Sequence, residues 1–313
     1  MTRPTVVLVQ NSPTSGPGRL PGWLTEAGID ARVVQGAELA ARVPGLGAAF
    51  SGDPATGTAS GERPTPVDGL VLLGGGLLPD EDERAPWLPH ERRLAGAALA
   101  AGVPVLGICL GGQLLAHVTG GQVTARSGET EKGLCTVRLL PAAGDDPLLG
   151  PLAALLADPS AGQPAGQPAD PSAGQPAGQP AGPSGIDGLR MVESHVDSIT
   201  GLPPQAVHLA TNDACRVQAF RVGDAAWGLQ FHPEADPARI GTWDAEELAK
   251  LGFDRDALHA AALEGAAENE AQARALADAF AAVVHRRCEH DFGPHSRREP
   301  GQNHAHNDAG VGR

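Results

Sequence analysis

Three stretches of the chain carry unbroken apolar runs: "TVVLVQ" (5–10), "VDGLVLLGGG" (67–76) and "VPVLGIC" (103–109). A strand with one face in water alternates apolar and polar residues. An unbroken run of this length means that both faces are covered. Between and after these runs lie segments of helical period. "GWLTEAGIDARVV" (22–34) reads as a helix followed by a second strand, and "HERRLAGAALAAG" (90–102) as a helix with a glycine stop. "GGQLLAHVTG" (111–120) continues directly from the third run as another helix. This alternation predicts an α/β fold, with a largely parallel central sheet and helices on both faces. The segment 48–66 between them reads as loop.

The composition changes abruptly after residue 157. "DPSAGQPAGQPA" at 158–169 recurs without a mismatch at 170–181. A tandem repeat of Ala, Gly, Gln and Pro has almost nothing to bury, so 158–185 is expected to be a disordered insert. It accounts for part of the high content of Gly (42) and Pro (28). Sheet signals resume in "MVESHVDSIT", "AVHLATND", "CRVQAFRVG" and "AAWGLQFHPE", and an alanine-rich helical segment follows at 254–287, with a break expected at Gly265. Residues 1–285 are therefore expected to form one domain interrupted by the insert, with 286–313 as a polar tail. The tail histidines lack a cysteine or carboxylate framework, so no metal site is expected there.

A net charge of −14 argues against a nucleic-acid or anionic-membrane surface. No apolar run reaches the roughly 18 residues that span a bilayer. The four cysteines, Cys109, Cys135, Cys215 and Cys288, are scattered with no CxxC, and no secretory leader is expected, because the first apolar run is too short for one. Free thiols in a cytoplasmic protein are the expectation.

The chemistry concentrates at "GICLGGQLLAH" (107–117), where one cysteine stands between glycines at a strand-to-helix junction. Gly-x-Cys-x-Gly in this place is the thiol form of a nucleophile elbow. Gly107 and Gly111 let the chain turn sharply, and the helix that follows brings its positive dipole end beside Cys109. Both effects favour thiolate over thiol. The Leu110 N–H then points where an oxyanion could form. A thiolate nucleophile needs a base and a group to orient it. "GLQFHPE" (228–234) ends an apolar strand with His232 and Glu234 two residues apart, and Pro233 stiffens the chain between them. In extended chain that spacing puts both side chains on one side, so Glu234 can hold the imidazole while its other nitrogen faces the thiol.

With "GICLGGQ", "LQFHPE" and the glycine run after strand 67–73, the chain resembles the class I glutamine amidotransferases, most closely stand-alone members similar to the glutaminase domain of GMP synthase. The resemblance implies a flavodoxin-like fold and a Cys–His–Glu triad of Cys109, His232 and Glu234. It places Gly75, within the run Gly74-Gly75-Gly76, beside Leu110 in the oxyanion hole. Gln113 matches a residue in contact with bound glutamine. "ESHVDSI" resembles a segment in which Ser194 and His195 would hold the glutamine α-amino and α-carboxylate groups, although Val196 stands where the family has glycine. The implied reaction hydrolyses the glutamine side-chain amide through a thioester and requires no metal or organic cofactor. The ammonia would pass to a synthase or acceptor subunit on another chain, since the sequence contains no GxxxxGK[ST] motif. Two alternatives stay open: a γ-glutamyl peptide or γ-glutamyl amine hydrolase of the same fold, and a catalytically silent binding module.

Overall fold

The computed structural model describes residues 3–42, 50, 66–157 and 185–292. The repeat within the expected insert, the last 21 residues of the expected tail and nearly all of the expected loop at 48–66 lie outside the described residues. The first apolar run forms β1 (Thr5–Gln10). It pairs in parallel with β2 (Asp30–Gln35) on one side and β3 (Gly69–Leu72) on the other. β3 pairs with β4 (Val105–Ile108), and β4 with β11 (Ala226–Leu229), both in parallel. These five strands make the parallel half of one nine-stranded sheet, in the order β2-β1-β3-β4-β11-β10-β9-β6-β7. The other strands, β10 (Ala219–Val222), β9 (Val207–Thr211), β6 (Glu131–Leu139) and β7 (Ile186–His195), add on antiparallel. The sheet is thus mixed, with its parallel strands grouped around the cysteine elbow. A short ribbon of β5 (Gln122–Thr124) and β8 (Ser198–Gly201) stands apart.

The unbroken apolar runs are explained by two cores, one on each face. Val6 and Leu8 of β1 join the core beneath α1 (Leu20–Glu26), α4 (Gly150–Ala157) and α7 (Ala266–Phe292). Val7 and Val9 alternate into the opposite core beneath α2 (Leu88–Ala100) and α3 (Leu110–Val118). These positions bury their side chains completely or nearly so, worth about 1.5–3 kcal/mol for a valine or leucine, so polar alternation would be penalised here. The helical segment predicted at 254–287 breaks at Gly265 into α6 (Arg255–Glu264) and α7, and α7 continues to Phe292. A side chain at Gly265 would come 2.5 Å from the end of the Leu134 side chain on β6, so the break sits where the helix passes close to the sheet. α5 (Ala245–Lys250) precedes them, capped by the Asp244 carboxylate on the Glu246 and Glu247 N–H groups.

Candidate active site

The parallel register sets the site. Ile108 lies opposite Leu229, and the Cys109 N–H donates to the Leu229 carbonyl at 2.8 Å. The ends of β4 and β11 therefore open at the same edge of the sheet, as expected for a ligand crevice in an α/β fold. Cys109 carries the turn itself, with φ 51° and ψ −107°. A positive φ on a residue other than glycine is strained and is held only by its surroundings. The glycines beside it serve a different purpose. A Cβ at Gly107 would meet the Gly111 carbonyl oxygen at 2.5 Å, one at Gly111 the Leu72 carbonyl oxygen at 2.0 Å, and one at Gly112 the Leu229 carbonyl oxygen at 2.6 Å. They let α3 lie directly on three strands, which wedges the cysteine into its strained turn.

His232 follows β11 and is held by a backbone bridge to β7, its N–H donating to the Val192 carbonyl at 2.8 Å. Its Nδ1 lies 2.7 Å from Glu234 Oε1, and both side chains are buried. The His232 Nε2 has no hydrogen-bond partner among the described residues. Gly74 shows where that ring points: a Cβ there would lie 2.9 Å from His232 Cε1 and 3.6 Å from Cys109 Cβ. Imidazole, cysteine and the glycine run therefore meet at one point. Burial works against a charged imidazole, but the Glu234 carboxylate and Cys109 outweigh it and hold His232 well above its ordinary pKa.

Cys109, His232, Gly75, Gln113, Ser194 and His195 line one cavity of about 310 Å³. Of the matched residues, Glu234 reaches the cavity through His232, and Leu110 follows Cys109 directly in the chain. The Gly75 N–H donates to no described group, while the Leu73 N–H, two residues earlier, is tied to the Val9 carbonyl. Gln113 is anchored rather than loose, its amide donating to the Asp197 carbonyl (2.9 Å) and to Gln230 Oε1 (3.3 Å). Gln230 in turn donates to Cys109 Sγ at 3.8 Å.

Strand pairing divides the Ser194 and His195 side chains between two environments. Across the β6–β7 ladder Lys132 faces Ser194, and Glu131 faces His195. Neighbouring positions on a strand point to opposite faces, so Lys132 and Ser194 share one face while Glu131, His195 and Glu193 share the other. The His195 Nε2 lies 3.3 Å from Glu131 Oε2 and 3.5 Å from Glu193 Oε2. Glu131 also accepts from Asn212 and Gln218, each at 2.6 Å. Glu193 is fully buried, neither oxygen has a hydrogen-bond partner among the described residues, and burial, then Glu131, raises its pKa well above the ordinary carboxyl value.

Glu131, His195 and Cys215 bring a carboxylate oxygen, a ring nitrogen and a thiol within 4.8 Å of one another, all buried. This second grouping of the same residue types lacks the features of a nucleophilic site. Cys215 is absent from the cavity wall, and burial followed by Glu129 and Glu193 pushes its thiol far up from its ordinary pKa. Its sulfur donates to Glu129 Oε2 and to the Val217 carbonyl, both at 3.7 Å.

Several supporting residues carry no motif that would single them out in the sequence. Arg19 reaches the Ala235 carbonyl at 2.7 Å and Asn269 Oδ1 at 2.8 Å, and its N–H donates to the Glu234 carbonyl at 3.0 Å. Gly18, with φ 51°, packs so closely that a Cβ would lie 2.0 Å from that same carbonyl oxygen. Together they clamp the turn that carries Glu234. Behind the glycine run, Asn11 donates to the Leu73 carbonyl and to the buried Glu91, and accepts from Trp87.

Fold and site together define an α/β protein built around a cysteine elbow at the carboxyl edge of parallel strands. The family model for "Glutamine amidotransferase class-I" matches residues 49–144. A glutamine-hydrolyzing GMP synthase subunit from Natronomonas pharaonis is 30% identical over 176 residues, 56% of this chain and 70% of that protein. Its namesake from Haloarcula marismortui is 32% identical over 169 residues, 54% of this chain and 65% of that protein, just under two thirds of its length. Among solved structures, a glutamine amidotransferase from Thermotoga maritima shares the fold, with a TM-score of 0.63 and 22% identity over 90% of this chain and 99% of that one. Another, from Methylobacillus flagellatus, does so with a TM-score of 0.61 and 22% identity over 98% of this chain and 100% of that one. The chain belongs to the class I glutamine amidotransferase family. No helix among the described residues is long and apolar enough to cross a membrane.

Proposed function

We propose that the chain hydrolyses the side-chain amide of glutamine, with Cys109 as nucleophile, His232 as proton carrier and Glu234 as its orienting acid. The observation that carries this reading is the 2.7 Å contact of Glu234 with His232 Nδ1, which leaves Nε2 beside the strained cysteine. The Cys109 thiol gives its proton to His232 as its sulfur attacks the amide carbon, and the N–H groups of Gly75 and Leu110 receive the oxyanion. His232 gives its proton to the departing nitrogen, so that the C–N bond breaks and ammonia leaves with a thioester behind. It then takes a proton from water, whose oxygen attacks the thioester and releases glutamate and the thiol.

By likeness to relatives named as one subunit of a glutamine-hydrolyzing GMP synthase, the ammonia passes to an acceptor protein on another chain. The domain that does this comprises 1–285 with 158–185 as an insert, working in the cytoplasm. The test is release of glutamate and ammonia from glutamine by the wild type and by Cys109→Ser, alone and with any copurifying partner. Turnover that persists in the variant would remove the mechanism. Turnover of γ-glutamyl amines but not glutamine would move the protein to the related hydrolase reading.

A further inference from the structure

We propose that Lys132 is the specificity residue of this cavity, and that it receives the free α-carboxylate of the substrate. The inference rests on the glutaminase reading and narrows it, because it separates a free amino acid from glutamine held within a peptide.

Lys132 lies on β6 directly across from Ser194, and its Nζ donates to Ser194 Oγ at 3.2 Å. It lines the same cavity as Cys109 and His232. Its ammonium forms no ion pair with any described residue, although burial lowers its pKa and Cys109, Asp197 and Glu193 act to restore it. A desolvated cation without a bound anion is costly, and an anionic ligand group removes that cost. Asp197 lines the same cavity and keeps its carboxylate in place by accepting the Arg126 N–H at 2.8 Å. One fixed cation and one fixed anion beside the thiol match the two charges of an amino-acid zwitterion. The amide carbon of glutamine and its α-carboxylate are four bonds apart, about 5 Å when extended, a span that suits a cavity of this size. A peptide-bound glutamine has neither charge to offer.

The experiment compares wild type, Lys132→Met and Lys132→Arg on L-glutamine and on L-glutamine α-amide, whose carboxylate is neutralised. Lys132→Met is expected to raise KM for glutamine about 10- to 100-fold with a much smaller effect on kcat, as loss of a charge-assisted contact predicts. The wild type should discriminate against the α-amide by a similar factor. Lys132→Met should treat the two substrates alike, and Lys132→Arg should recover part of the discrimination. An unchanged KM in Lys132→Met would overturn the assignment. So would an equal loss of kcat on both substrates with a shifted pH profile, which would instead place Lys132 in service of the thiol.

Binding of L-glutamate by calorimetry, in a Cys109→Ala background with and without Lys132→Met, needs no turnover. Lys132-dependent glutamate binding by a protein that does not hydrolyse glutamine would keep this assignment and remove the hydrolytic reading. Glutamine turnover with Lys132-independent glutamate binding would do the reverse.

Discussion

Glu234 Oε1 sits 2.7 Å from His232 Nδ1 in a buried contact, and Gly18 and Arg19 hold the Glu234 backbone from behind, so the imidazole has one orientation and one nitrogen left for chemistry. Groups that act as such a unit respond to mutation as a unit. Cys109→Ser and His232→Ala are each expected to abolish measurable glutamine hydrolysis. Glu234→Gln should cost roughly 100-fold less than either, because it removes aim and charge but leaves the proton carrier. The Cys109→Ser/His232→Ala double variant should lose little beyond Cys109→Ser. Steady-state ammonia release gives the order, and additive losses would show that the residues act independently.

The proton affinity of His232 offers a check that does not depend on turnover. Burial alone lowers it, and Glu234 and Cys109 raise it well above the ordinary value. Removing a raising cause leaves burial less opposed, so Glu234→Gln and Cys109→Ala should each move the titration to lower pH. Titrating the imidazole by NMR measures this directly. A shift to higher pH in either variant would contradict the electrostatic account of the site.

Gly18 touches no substrate, yet Gly18→Ala should damage the site. Its φ of 51° disfavours any side chain, and the new Cβ would lie 2.0 Å from the Glu234 carbonyl oxygen. The turn carrying Glu234 must move to admit it. A loss of at least about tenfold in kcat/KM is expected, since misplacement of this kind is costly to catalysis. Wild-type kinetics in a folded Gly18→Ala protein would show that the turn tolerates displacement.

Glu91 predicts a pH dependence of stability. It is fully buried, and burial raises its pKa to about 7 against an ordinary value of 4.5, with the Asn11 hydrogen bond opposing only in part. The folded state therefore holds this proton more tightly than the unfolded chain does. Its contribution is fully present below the ordinary pKa and is lost as pH rises from about 4.5 through about 7, a change of up to roughly 3 kcal/mol. Glu91→Gln should flatten this slope. Urea midpoints at pH 5 and pH 8 compare the two proteins, and identical slopes would remove Glu91 from the account.

Deleting 158–183 should leave activity unchanged and shift Tm by less than about 2 °C, because the Ala, Gly, Gln and Pro repeat has little to bury. A cooperative loss of several degrees would show that the repeat packs on the domain.

Much of the architecture was written in local pattern. The unbroken apolar runs of β1, β3 and β4 name strands buried on both faces, because only such strands exclude polar residues at every position. The elbow and the His-Pro-Glu turn are equally local as motifs, because the residue types that carry them lie within a few positions of one another. β6 did not show itself in this way. Its residues Glu131, Lys132, Cys135 and Thr136 disguise an alternation in which the buried positions include a carboxylate and a glycine. Nothing near Lys132 in the sequence says that it faces Ser194, 62 residues away. That pairing, the division of Ser194 and His195 between two faces, and the convergence of Arg19 and Gly18 on Glu234 are matters of register between distant strands and loops. A shift of one residue in a strand turns every side chain to the other face, so only the assembled sheet decides which charges enter the cavity.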